Sequence, residues 1–109
     1  MGEVWQLMND GHLAAELEVV DVDFPWLTAI VYPKVGFEAV AGLFREEIRH
    51  MDDLAGEESP AWTAAYAAIR AQTTLLDPAG RSVPEYLLHI HGAEAWWRWS
   101  DEPFSDKEG

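Results

Sequence analysis

The chain contains no cysteine, so disulfide frameworks, thiolate metal centres and cysteine nucleophiles are excluded from the outset. Basic residues are scarce, seven against twenty acids. The resulting formal charge of -13 repels phosphate backbones and anionic lipid, both of which bind through lysine and arginine. Neither nucleic acid nor a membrane surface is therefore expected as a partner. No apolar run approaches the roughly 20 residues of a membrane span, and the basic-then-apolar pattern of a secretion signal is missing from the N-terminus, which predicts a cytoplasmic protein. No Gly-rich phosphate loop and no nucleophile elbow around Ser59, Ser82 or Ser100 is found, and no catalytic motif is recognised.

What remains is a chain of 109 residues, 49% apolar, with six tryptophans. A chain of this size buries roughly two thirds of its unfolded surface in a single core. Residues 1–104 are expected to form that one domain and residues 105–109 a flexible acidic tail, with Phe104 the residue able to pin it.

The run Val4, Trp5, Leu7 and Met8 followed by Asn9-Asp10-Gly11 predicts a strand and a tight turn. From His12 to Val20 the residues alternate: Leu13, Ala15, Leu17 and Val19 point to one side, and His12, Ala14, Glu16 and Glu18 to the other. Asp21 to Pro25 breaks the pattern, and Trp26 to Tyr32 reads as a third strand. Between Val35 and Leu54, Phe37, Val40, Ala41, Phe44, Ile48 and Met51 recur every three or four residues, the stripe of an amphipathic helix. Gly56 is a stop, and Ser59-Pro60 caps a second helix carrying Trp62, Tyr66 and Ile69. After Thr74 the chain is extended again at Leu75 and Leu76, Asp77-Pro78-Ala79-Gly80 is a turn followed by Arg81 to Val83, Glu85 to Ile90 is a strand, His91 to Glu94 a reversal and Ala95 to Ser100 a last strand. The order βββααβββ predicts an α+β fold, an antiparallel sheet of five to six strands with a two-helix hairpin packed on one face through Phe37, Phe44, Ile48, Trp62, Tyr66 and Ile69.

The segments Asp23-Phe24-Pro25-Trp26-Leu27 and Leu87-Leu88-His89-Ile90-His91-Gly92, continuing through Ala95-Trp96-Trp97-Arg98-Trp99 to Phe104, resemble those of a family of small uncharacterised acidic actinobacterial proteins. The resemblance spans nearly the whole chain. It implies a bacterial cytoplasmic setting and brings no catalytic residues with it.

Two constellations could carry function. His89 and His91, two apart on one strand, present both rings to one side, where His12, Glu16 and Glu18 on the outward face of the second strand could complete a metal site if that strand neighbours theirs. Against that, two histidines alone fall short of a specific ligand motif, and they read equally as polar residues on a solvated face or as one satisfied histidine beneath the tail. The second constellation places Trp96 and Arg98 on the face shared with His89 and His91, an aromatic and cationic patch in an acidic surface. Its plainer reading has Trp96 covered by residues 21–26 or the tail, and Arg98 paired with Asp101 or Glu102. The adjacent acids Glu46-Glu47, Asp52-Asp53 and Glu57-Glu58 point about 100° apart on a helix and read as solvated.

The sequence thus favours a non-catalytic binding module, adaptor-like or immunity-like, that engages a basic protein through His89, His91, Trp96, Arg98, Glu16 and Glu18, with no cofactor and no metal. The alternative is a small-molecule-binding or metal-dependent enzyme using His89 and His91. The oligomeric state is open between a monomer and a homodimer formed across an exposed edge strand.

Overall fold

A computed structural model of the protein describes residues 2–51 and 60–100. The expected helix stop at Gly56, the cap at Ser59, the domain limit at residue 104 and the tail of residues 105–109 lie outside the described residues.

The fold is α+β. Six strands, β1 (Val4–Asn9), β2 (His12–Asp23), β3 (Trp26–Pro33), β4 (Thr73–Leu76), β5 (Glu85–His91) and β6 (Glu94–Ser100), form one antiparallel sheet in the order β4-β1-β2-β3-β6-β5. Two helices, α1 (Glu38–Met51) and α2 (Pro60–Gln72), pack against it, and a 3-10 turn at Val35–Phe37 leads into α1. The order βββααβββ is the one the sequence predicts.

Register sorts the side chains. Leu17 pairs with Val31, Val19 with Ala29, Leu27 with Trp97 and Leu88 with Trp97. These residues share one face, and nearly all of them are buried in the core with Trp5, Leu7 and Tyr86. Glu16 opposite Tyr32, Glu18 opposite Ile30, Thr28 opposite Trp96 and His89 opposite Trp96 share the other. Pairing of Trp5 against both Trp97 and Trp99, at 5.5 and 5.7 Å between centroids, fills the middle of the core face.

Two irregularities depart from simple alternation. A register shift between Leu7 and Met8 leaves Ala14 without an opposite partner. Ala14 is consequently buried instead of facing out with His12, and the approach to α1 packs on it: the Lys34 N–H donates to the Ala14 carbonyl, and a Cβ on Gly36 would stand 3.0 Å from the Leu13 carbonyl oxygen. A second shift between Val19 and Asp21 lets β2 continue to Asp23. The expected break at residues 21–25 is thus a bulge followed by the turn Phe24-Pro25, whose peptide bond is cis.

The helices meet the sheet at β5, the last strand in the order. The Tyr66 hydroxyl donates to the Tyr86 carbonyl and accepts from the Leu88 N–H, at 2.6 and 2.9 Å, so a side chain of α2 takes the place of a neighbouring strand along that edge. From the far end of the strand order, Thr73 in β4 donates to the Ile69 carbonyl and accepts from the Tyr86 hydroxyl. Together with the bridge between Leu76 and Ser82, this contact draws β4 towards β5 and curls the sheet around its core.

Candidate functional site

All six residues singled out in the sequence, Glu16, Glu18, His89, His91, Trp96 and Arg98, fall on the face opposite the main core, as their pairings require. They do not converge. β2, with Glu16 and Glu18, is separated from β5 by β3 and β6. Glu18 accepts from the Tyr32 hydroxyl and Glu16 faces Lys34. The acid that a metal site on His89 and His91 would draw from β2 is therefore out of reach, and among the described residues no three histidines or acids gather in a group that could hold a metal.

His89 corrects the expectation of an outward ring. It is 1% exposed, stacked against Trp26 at 6.0 Å and tilted against Trp96 at 5.4 Å. Its Nδ1 lies 2.8 Å from Glu47 Oε2. Glu47 is a second correction: expected to be solvated, it is 0% exposed. The same Oε2 accepts from the Trp62 indole N–H at 2.6 Å, while Oε1 is buried without a hydrogen-bond partner. An ionised carboxylate only accepts, and opposite one the ring nitrogen is the donor. Helical spacing could have revealed this acid, since Val40, Phe44, Glu47 and Met51 recur at four, three and four residues and place Glu47 within the apolar stripe.

Glu47 reaches His89 because α1 straddles the β5 edge. Phe44, one turn earlier, lines a cavity with Ile90, and Ile90 points to the opposite face from His89. Trp62 stacks parallel on Tyr66 at 5.3 Å, which orients its indole N–H towards the carboxylate. The arrangement is a buried acid–histidine–tryptophan network roofed by Trp26 and Trp96. It fixes three elements together and opens no path for a substrate to the ring within the described residues.

The other sequence-selected residues are accessible: His91 is exposed, while Trp96 and Arg98 are half-buried. Sequence reasoning missed the tip of the β2–β3 hairpin. There Phe24 is 91% exposed and lines a groove of about 300 Å³ with Val22, Pro25, Trp26, Leu27 and Trp99, and it follows the exposed acids Asp21 and Asp23 in sequence. The signal was an aromatic residue inside a turn, which no described residue covers. Trp26 links the two regions, since one ring both lines the groove and stacks on His89. Family models, curated proteins and solved structures yield no significant match to the chain, which leaves the chemistry of this surface to point to a function.

Proposed function

We propose that the protein is a non-catalytic binding module, adaptor-like or immunity-like, that docks on a basic protein through the hairpin tip and the adjoining outer face of its sheet. The observation that carries this reading is the 91% exposure of Phe24, next in sequence to the exposed acids Asp21 and Asp23, in a chain of net charge -13. An aromatic anchor beside acidic residues suits an apolar pocket flanked by lysine or arginine: burying the ring supplies affinity, and the charges steer the encounter and select the partner. Trp96 and Arg98 extend the contact area, His91 marks its far end, and Glu16 and Glu18 add acidic flank. The cytoplasmic setting expected from the sequence is compatible with such a role.

The test is capture from the source cells with wild-type protein and with Phe24→Asp, across a salt series. The expected result is one basic protein retained by the wild type, lost from the variant and released progressively as salt rises. Identical, salt-independent captures would overturn the reading. An unchanged thermal unfolding curve for Phe24→Asp establishes that the variant is folded.

A further inference from the structure

We propose that the cleft between α1 and the β5–β6 turn binds a small organic monocarboxylate with an apolar tail. This site lies apart from the hairpin tip, shares only His91 with the proposed docking face, and does not depend on the docking role. The cleft encloses about 540 Å³, and its rim carries Arg45, Arg49 and His91 over a floor of Ile48 and Ile90. Two of the chain's seven lysines and arginines stand on this one cleft, with a histidine beside them.

Their states differ. Arg49 is held by the Glu46 carboxylate, which accepts from its Nη2 and Nε at 2.8 and 3.2 Å. Lys34, Arg70 and Arg81 are likewise matched with Glu16, Glu85 and Asp77. Arg45 has no carboxylate partner among the described residues, and its guanidinium reaches over Gly42, where an added Cβ would sit 3.7 Å from Nη2. A planar guanidinium in that position offers two parallel N–H donors, the geometry that matches a carboxylate.

Arg45 also borders a second, smaller cavity of about 180 Å³ that shares Ile90 and Gly92 with the first and continues onto Phe37, Ala41 and Phe44. Phe37 and Phe44 stack there with centroids 6.4 Å apart. The cationic rim and the apolar end are thus joined at Arg45, and a ligand that fills both has an anionic head and a hydrocarbon or aryl body. The head is singly charged: Glu46 lines the same cleft and Glu94 pairs with His91 across the turn, so the second charge of a phosphate would meet repulsion that a carboxylate avoids.

Octanoate, octylammonium and inorganic phosphate, each titrated into labelled protein and followed by amide chemical shifts, test the proposal. Octanoate is expected to move Ile48, Ile90, Gly92 and Phe37 together. Octylammonium, with the same tail and the opposite charge, should leave them in place, and phosphate should act more weakly than octanoate. Arg45→Met, at an exposed position, should weaken octanoate binding about tenfold, the scale of one lost charge-assisted hydrogen bond. No shifts with octanoate, equal shifts with octylammonium or with phosphate, or unchanged binding by Arg45→Met would each overturn it.

Discussion

Glu47 Oε2 and His89 Nδ1 stand 2.8 Å apart across 42 residues of sequence, and neither side chain reaches solvent. The same oxygen also takes the Trp62 N–H, so one buried atom ties α1 to α2 and to β5. Removing a carboxylate from water costs several kcal/mol, and only close, well-directed donors offset that cost. Two donors at 2.6 and 2.8 Å on Oε2 supply the offset, while the unpartnered Oε1 leaves the balance incomplete.

Glu47→Ala removes the acceptor shared by both rings and opens a cavity beneath them. Denaturant unfolding should show a loss of about 2–5 kcal/mol, the range for leaving buried donors unsatisfied and opening a core cavity. Replacing both partners with apolar groups, as in Glu47→Leu with His89→Phe, should cost much less, because no polar group is then left behind. A single variant as stable as wild type would mean that the network contributes specificity of packing and no net stability.

Tyr66 carries a separate prediction. Burial pushes its hydroxyl well above the ordinary tyrosine value, so it stays protonated and serves the Tyr86 carbonyl and the Leu88 N–H at once. Tyr66→Phe leaves both backbone groups without that partner and should cost about 2–4 kcal/mol by denaturant unfolding. The raised value also sets an alkaline limit. As pH climbs past the ordinary tyrosine value of 10.0, the unfolded chain ionises at this residue and the folded one resists, so stability declines. Tyr66→Phe should flatten that part of the pH profile.

The order of the elements and both helices were legible because their signals are local. Leu17 and Val19 alternate with Glu16 and Glu18, and Phe44, Trp62, Tyr66 and Ile69 mark helical stripes that the structure buries. The outward assignment of His89 failed for a non-local reason. Alternation correctly gives the face, yet the cover comes from Trp26 at the start of another strand and from Glu47 on a helix, and no spacing within β5 reports either. Glu47 was readable from its place between Phe44 and Met51 in the stripe, but its charge suggested solvent. Ala14 was lost to a bulge, which shifts register without any change in composition.

Asp77 predicts acid sensitivity confined to one turn. Its Oδ1 accepts the backbone N–H groups of Ala79 and Arg81, and its Oδ2 faces the Arg81 guanidinium at 3.1 Å. The Arg81 N–H foremost, then the charge of Arg81 and the Ala79 N–H, hold the carboxyl below its ordinary value of 3.8. A lowered folded value means that the stabilisation is fully present above the ordinary value and is lost as pH falls below it, through the value of the folded state. Asp77→Asn should therefore be less stable than wild type at neutral pH, and the gap should narrow once the medium is more acidic than the ordinary aspartate value. Thermal unfolding of the two proteins across an acid series measures that gap, and a difference independent of pH would show that the amide replaces the carboxylate in holding the turn.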